Sequence, residues 1–173
     1  MSQDGHFAEA LAAHGPALQR LARGYEADLA EQHDLLQSIH LALWRSFTVF
    51  DQKCSLRTWV FRVAHNVGAT HVLRRKRAKN LNLTTLDDLA NLPAEGDPEH
   101  RLADRDLLAR LVRLIHRLKP PDAQVMLLYL EDFSAAEIGE VTGLSAGAVA
   151  TRIHRIKAVL AKQVNEGGHG NGG

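Results

Sequence analysis

Residues 50–79 read FDQKCSLRTWVFRVAHNVGATHVLRRKRAK, and their apolar side chains recur at steps of three and four: Leu56, Trp59, Val60, Val63, Ala64 and Val67. That period matches one face of an α-helix and excludes a half-buried strand, whose faces alternate every second residue. A helix this long must bury its apolar stripe against other elements. The stretch is also sorted by charge. From Gln52 through Leu86 there is no Asp or Glu, although the formal net charge of the chain is only +1. The side away from the apolar stripe carries Arg57, Arg62, His65 and Asn66, and the helix runs on into Arg74, Arg75, Lys76 and Arg77. Consecutive cations suit the repeating phosphates of a nucleic acid better than a single acidic substrate, and such binding weakens with salt through counterion release. The competing reading is a solvated face, which a charge run usually is.

At 173 residues the chain can make one ordinary domain or two small ones, and the block pattern of charge favours two. Aromatic residues are only 5%, and no stretch alternates polar with apolar. The expected fold is all-α, two small helical domains joined by a linker. A single cysteine excludes an intramolecular disulfide. The start MSQDGHF lacks a signal pattern and no apolar run is long enough to cross a bilayer, so a cytoplasmic protein is expected.

Residues 7–25 place Leu11, Leu18, Leu21 and Ala22 on one face with Gly15 and Pro16 interrupting, which predicts one helix or a broken pair. Residues 30–50 predict a longer helix with Leu35, Leu36, Ile39, Leu43, Trp44 and Phe47 apolar. Asp34, Gln37, Ser38, Leu41 and Arg45 turn elsewhere, and Leu41 among them marks a contact surface unless it is one of the scattered exposed leucines common in proteins. Residues 80–98, NLNLTTLDDLANLPAEGDP, have turn-forming residues and weak periodicity, and read as a linker with at most one short helical turn. Residues 99–118 predict a helix stopped by Lys119-Pro120-Pro121. Residues 122–130 predict a buried helix in which Met126 fills core.

Residues 132–160 carry the most specific local pattern. Ser134 and Glu137 have the spacing of a capping box, Ile138 and Val141 face inward, Gly143 makes a turn, and Ser145 caps a second helix with Val149, Ile153, Ile156 and Leu160 inward. This is a helix-turn-helix, a motif that sends its second helix into a major groove. The outward residues Ala146, Ala150, Thr151, His154, Arg155 and Lys157 are free of acid, which favours DNA over a purely structural hairpin. Residues 166–173, EGGHGNGG, predict a flexible tail.

Chemistry is sparse by comparison. Among ten histidines, His33 and His40 share a helix face without a third ligand, and His65 and His71, six apart, point apart. Cys54 has no cysteine partner, and there is no phosphate loop, nucleophile elbow or close carboxylate pair. No catalytic residue, metal or cofactor is expected, and a helical nuclease has only the basic patches to support it.

The segments HDLLQSIHLALWRSF, SLRTWVFRVAHN with its RRKR ending, and SAAEIGEVTGLSAGAVATRIHRIKAVL together resemble the extracytoplasmic-function group of bacterial RNA polymerase sigma factors. The likeness spans nearly the whole chain, and the order of the segments is more specific than any one of them. It implies core RNA polymerase and promoter DNA as partners, with an anti-sigma factor as a further one. It also implies a region 2-like domain in residues 1–79, a linker in 80–98 and a region 4-like domain in 99–165.

Residue by residue, the resemblance puts Asp34, Gln37, Ser38, Leu41 and Trp44 against the polymerase clamp. It puts Lys53, Cys54, Ser55 and Leu56 in the loop that receives a flipped base of the minus-ten element, with Arg62, His65 and Asn66 beside them and Arg74, Arg75, Lys76 and Arg77 on the same DNA. Thr151, His154 and Arg155 match readers of minus-35 bases, while Ser145, Arg152 and Lys157 suit phosphates. Trp59 belongs to the core on this reading. Three positions depart from the family: Ala150 where a basic residue is frequent, and Thr70 and Ser38 where an acidic one is usual. The acidic linker residues Asp87, Asp88, Glu95 and Asp97 resemble a connector that threads toward the RNA path, or are simply solvated. A stand-alone helix-turn-helix regulator and a helical protein adaptor are the alternatives.

Overall fold

The computed structural model describes residues 1–92 and 104–168, and among them eight α-helices and no strand. The first helix, α1 (Gln3–Tyr25), is continuous through Pro16, so the interruption expected at Gly15-Pro16 does not occur. Asp28 caps α2 (Leu29–Ser46) by accepting from Glu31 N at 2.9 Å, and Ser55 caps α3 (Leu56–Lys79) by accepting from Thr58 N at 3.0 Å. Asn80 ends α3 in the left-handed region at φ 50°, a conformation that asparagine tolerates better than most residues. Ile39, Leu43, Val60 and Ala64 are fully buried where these three helices meet. Gly68 is required there, because a Cβ would stand 2.4 Å from the Tyr25 ring.

The connector expected over residues 80–98 is ordered through residue 92. Thr84 N donates to Arg117 O and Lys119 N to Thr84 O, each at 2.8 Å. Short helix α4 (Leu86–Asn91) follows, with Leu86 and Leu89 only 2% and 5% exposed. Residues 93–98, the rest of the expected linker, lie outside the described residues, as do 99–103 of the next expected helix.

Helix α5 (Asp104–Arg117) ends before the proline pair, and α6 (Pro120–Leu130) starts on it, two residues earlier than expected, because proline is favoured in a first helical turn. The predicted capping box opens α7 (Ala135–Thr142), with Glu137 N to Ser134 Oγ at 3.2 Å and Ser134 N to Glu137 Oε2 at 2.7 Å. Gly143 turns the chain at φ 77°, where a side chain would be strained, and α8 (Ala146–Gly168) follows. The backbone of 166–168 therefore continues a helix where a tail was expected, and 169–173 lie outside the described residues.

Both halves share one continuous core rather than standing apart. Helix α1 packs on α5 and α6, and α3 on α6 and α7. Gly24 marks the closest approach, since a Cβ there would lie 2.4 Å from the Leu127 side chain of α6. Phe61 meets Phe133 edge to face at 4.8 Å, and burial of rings of this size is a main source of stability.

Candidate nucleic-acid and polymerase interface

Helix α3 explains several departures from the sequence-based expectation. One stripe, Val60 and Ala64, packs on α1 and α2, but a second, Thr58, Phe61, His65, Gly68 and Val72, is buried as well. His65 therefore does not face DNA. It is 2% exposed, with Nδ1 2.7 Å from the Tyr25 hydroxyl, and burial pulls its imidazole down to about 3, so it is neutral near pH 7. The expected outward side is only a narrow strip because the second half of the chain covers the rest.

Arg75 is likewise not part of a free basic cluster. Its Nη1 donates to Glu26 Oε2 at 2.8 Å, with side-chain exposures of 12% and 3%. His71 Nε2 lies 3.0 Å from the other Glu26 oxygen, and the amides of Ala27 and Asp28 donate to Oε2 at 2.7 and 3.2 Å. Burial opposes charge on Glu26, but hydrogen bonds with Glu31, His71 and the Asp28 amide, together with Arg75, hold its carboxyl down at about 2. Donor atoms of Glu26, Glu31 and His71 come within 4.8 Å of one another, a grouping the histidine spacings did not reveal. Its geometry is that of an internal charge cluster, since Arg75 already neutralises Glu26. Arg74, Lys76 and Arg77 remain exposed on the outer side of α3.

The loop before α3 is shaped by Asp51, which accepts from Lys53 N at 3.2 Å and pairs with Lys53 Nζ at 2.9 Å. Gln52 takes a positive φ of 61°. Gln52, Lys53, Cys54, Ser55 and Arg62 line a cleft of about 730 Å³, with Leu56 beginning the helix beside it, and Glu140 of α7 forms its remaining wall. Asn66 is exposed but opens into a different cleft of about 350 Å³, shared with Ser38, Thr70, His71 and Arg74. Of the expected minus-ten residues, Lys53, Cys54, Ser55 and Arg62 thus line one cleft and Asn66 and Arg74 another.

On α2, Asp34, Gln37 and Ser38 are exposed, and Leu41 and Trp44 are 48% and 39% exposed. The Trp44 indole donates to Asp4 Oδ1 at 2.8 Å, which fixes its ring against α1. On α8, Thr151, His154 and Lys157 are exposed, and Ser145 caps the helix, accepting from Ala148 N at 3.2 Å. Arg152 points instead to the buried Asp122, at 2.9 Å, whose other oxygen accepts from Leu86 N at 2.8 Å. Arg155 is ion-paired with Asp87 of α4. The described residues contain no helix long and apolar enough to cross a membrane.

Comparison with known proteins decides what this arrangement is. Residues 10–78 match the family described as sigma-70 region 2, and residues 108–160 match sigma-70, region 4. RNA polymerase sigma factor CnrH of Cupriavidus metallidurans is 32% identical over 90% of this chain and 84% of its own length. The chain belongs to the extracytoplasmic-function sigma factors. ECF RNA polymerase sigma factor SigW of Bacillus subtilis is 25% identical over 92% of the chain and 89% of the relative. A structure of CnrH in complex with the cytosolic domain of CnrY superposes with a TM-score of 0.61 at 26% identity, covering 92% of this chain and 87% of that one. A structure of sigma factor RpoE with the anti-sigma factor NepR from Bartonella quintana gives 0.66 at 18% identity, covering 92% and 96%, and supports the fold. This sigma factor recognises promoters for transcription initiation, and the all-helical fold expected from residue periodicity is the one found. The region 2 match ends one residue before α3 does, and the region 4 match begins inside α5.

Proposed function

We propose that this sigma factor works as a non-catalytic cytoplasmic initiation factor with three separate surfaces. Asp34, Gln37, Ser38, Leu41 and Trp44 of α2 meet core polymerase. The loop Lys53, Cys54, Ser55 and Leu56, with Arg62, Asn66, Arg74, Lys76 and Arg77, holds the minus-ten element. Thr151, His154 and Arg155 read the minus-35 element, with Ser145 and Lys157 toward phosphates. His65 and Arg75 support the second surface from inside, and Arg152 supports the third. The observation that carries this reading is the pairing of a recognition helix that carries no acid from Ala146 to Asn165, with Thr151 and His154 outward, with a half-exposed Leu41 on a separate helix face. An isolated DNA-binding module has no use for the second feature. A regulatory protein partner comparable to NepR, an anti-sigma factor in its own complex, completes the set of partners.

Run-off transcription with purified core polymerase tests the reading. The factor should confer promoter-dependent transcripts, and Leu41→Asp should abolish both co-purification with core and transcription while leaving the helix content unchanged. A factor that binds promoter DNA unaided but never associates with core would refute it.

A further inference from the structure

The first two turns of α1 are fastened to the C-terminal half of α2, and they grip residue 44 twice. Asp4 Oδ1 accepts from the Trp44 indole nitrogen at 2.8 Å, and Gln3 Nε2 donates to the Trp44 carbonyl at 2.7 Å. That carbonyl belongs to the last turn of α2, where carbonyls lack a helical donor, and the amide of Thr48 goes to Arg45 O instead. Asp4 is itself held in place. Ser2 caps α1 by accepting from Gly5 N at 3.0 Å. Buried His6 stacks on Phe47 with ring centroids 5.6 Å apart and meets Phe50 edge-on at 5.3 Å, while Phe7 meets His40 of α2 edge-on at 6.3 Å. The carboxylate that receives the indole therefore stands on an anchored turn.

Trp44 is 39% exposed and shares the outer face of α2 with Gln37 and Leu41, at steps of four and three residues. An indole exposed to this extent is free to turn unless something holds it, and freezing a side chain on binding costs entropy. Tryptophan is also among the residues that carry most of the binding energy at protein interfaces. A bond from Asp4 settles the ring before the partner arrives. The helix dipole gives a first-turn acid an ordinary explanation, but the dipole acts on any nearby negative charge and needs no oxygen aimed at Trp44. Asparagine separates the two roles, because it keeps the acceptor and loses the charge.

We propose that Asp4 is a positioning residue for polymerase binding: it holds the Trp44 ring in the orientation that core polymerase meets. Gln3 fixes the backbone beneath that ring. The inference rests on the assignment of the α2 face to polymerase made above. It adds to that face the start of α1, which the region 2 match, beginning at residue 10, leaves out.

The chain has two tryptophans, so in a Trp59→Phe background, to which all values are referred, Trp44 is the sole indole emitter. Asp4→Ala should lower the steady-state anisotropy of Trp44 fluorescence. It should also weaken binding of the full chain to core polymerase about three- to tenfold, in line with the net contribution of one hydrogen bond. Asp4→Asn should keep the parental anisotropy and an affinity within about twofold of the parent, since its side-chain oxygen still accepts. In a Trp44→Ala chain, itself weakened, Asp4→Ala should cost nothing further, because the coupling ends when one partner is gone. An Asp4→Ala chain of parental affinity beside an impaired Trp44→Ala overturns the inference and leaves the polymerase face standing. An Asp4→Asn chain as weak as Asp4→Ala makes the charge a direct contact, which also overturns it. Parental affinity in Trp44→Ala contradicts the assignment of Trp44 to that face, and the inference falls with it.

Discussion

Arg75 donates to Glu26 across 2.8 Å, joining the basic end of α3 to the junction of α1 and α2 with both side chains largely withdrawn from water. Neighbouring cations in one run therefore have different tasks. Arg75→Ala leaves a buried carboxylate without its cation, and should cost about 3 kcal/mol in urea unfolding at neutral pH. Exposed Arg77→Ala should stay within about 0.5 kcal/mol of the parent while weakening minus-ten DNA binding. Equal stabilities for the two variants would show that the buried pair contributes nothing net.

The buried imidazole of His65 sets a pH dependence. Its folded value is about 3, below the ordinary 6.5, so between those limits the unfolded chain binds a proton that the folded chain does not. Stability then rises with pH through this window and is lost on acidification, by up to about 1.4 kcal/mol per pH unit for one proton. His14 and His40, lowered by partial burial, act with the same sign. Glu26, held at about 2, adds a loss only below its ordinary value of 4.5. Unfolding free energies at pH 7.5, 6 and 5 should show a shallower slope for His65→Gln than for the parent, and identical slopes would remove His65 as the cause.

Arg155 lies at the edge of the α8 face that carries Thr151, and its partner Asp87 is displaceable. Arg155→Ala should weaken binding to a minus-35 duplex by about 1 to 3 kcal/mol without affecting association with core. Fluorescence titration against cognate and scrambled duplexes decides the role: equal losses on both make it a phosphate contact.

Asn66 occupies its own hollow one turn beyond Arg62, beside Ser38 and Arg74. If it takes part in base capture, Asn66→Ala should slow promoter opening more than it lowers closed-complex formation, because unstacking is repaid only when the extruded base is held. A mismatched, preopened template should recover much of the rate. Equal impairment on that template would assign Asn66 to positioning of the duplex.

Helix positions were legible wherever one apolar stripe or one cap decided them, as with Leu35, Ile39 and Leu43 on α2 or Ser134 with Glu137 on α7. The second buried side of α3 was not, because Phe61, His65 and Gly68 interleave with Arg57 and Arg62, and a helix enclosed from two directions has no single stripe. Arg75 looks like Arg74 until Glu26, 49 residues away, is placed beside it. The docking of α4 was hidden for a similar reason: Leu86 and Leu89 are spaced for burial, but six residues give too little periodicity, and their partner helix lies far along the chain. Candidate binding residues on α2 and α8 were more readily found, since exposure there follows directly from being opposite a core stripe.

Selection of transcribed promoters from a template library randomised across the minus-35 and minus-ten positions, with reconstituted core polymerase, tests the two-surface account most directly. The account predicts two conserved sequence blocks, with Arg155→Ala changing only the upstream block and Asn66→Ala impairing use of the downstream one. A single conserved block, or both variants altering the same block, would contradict it.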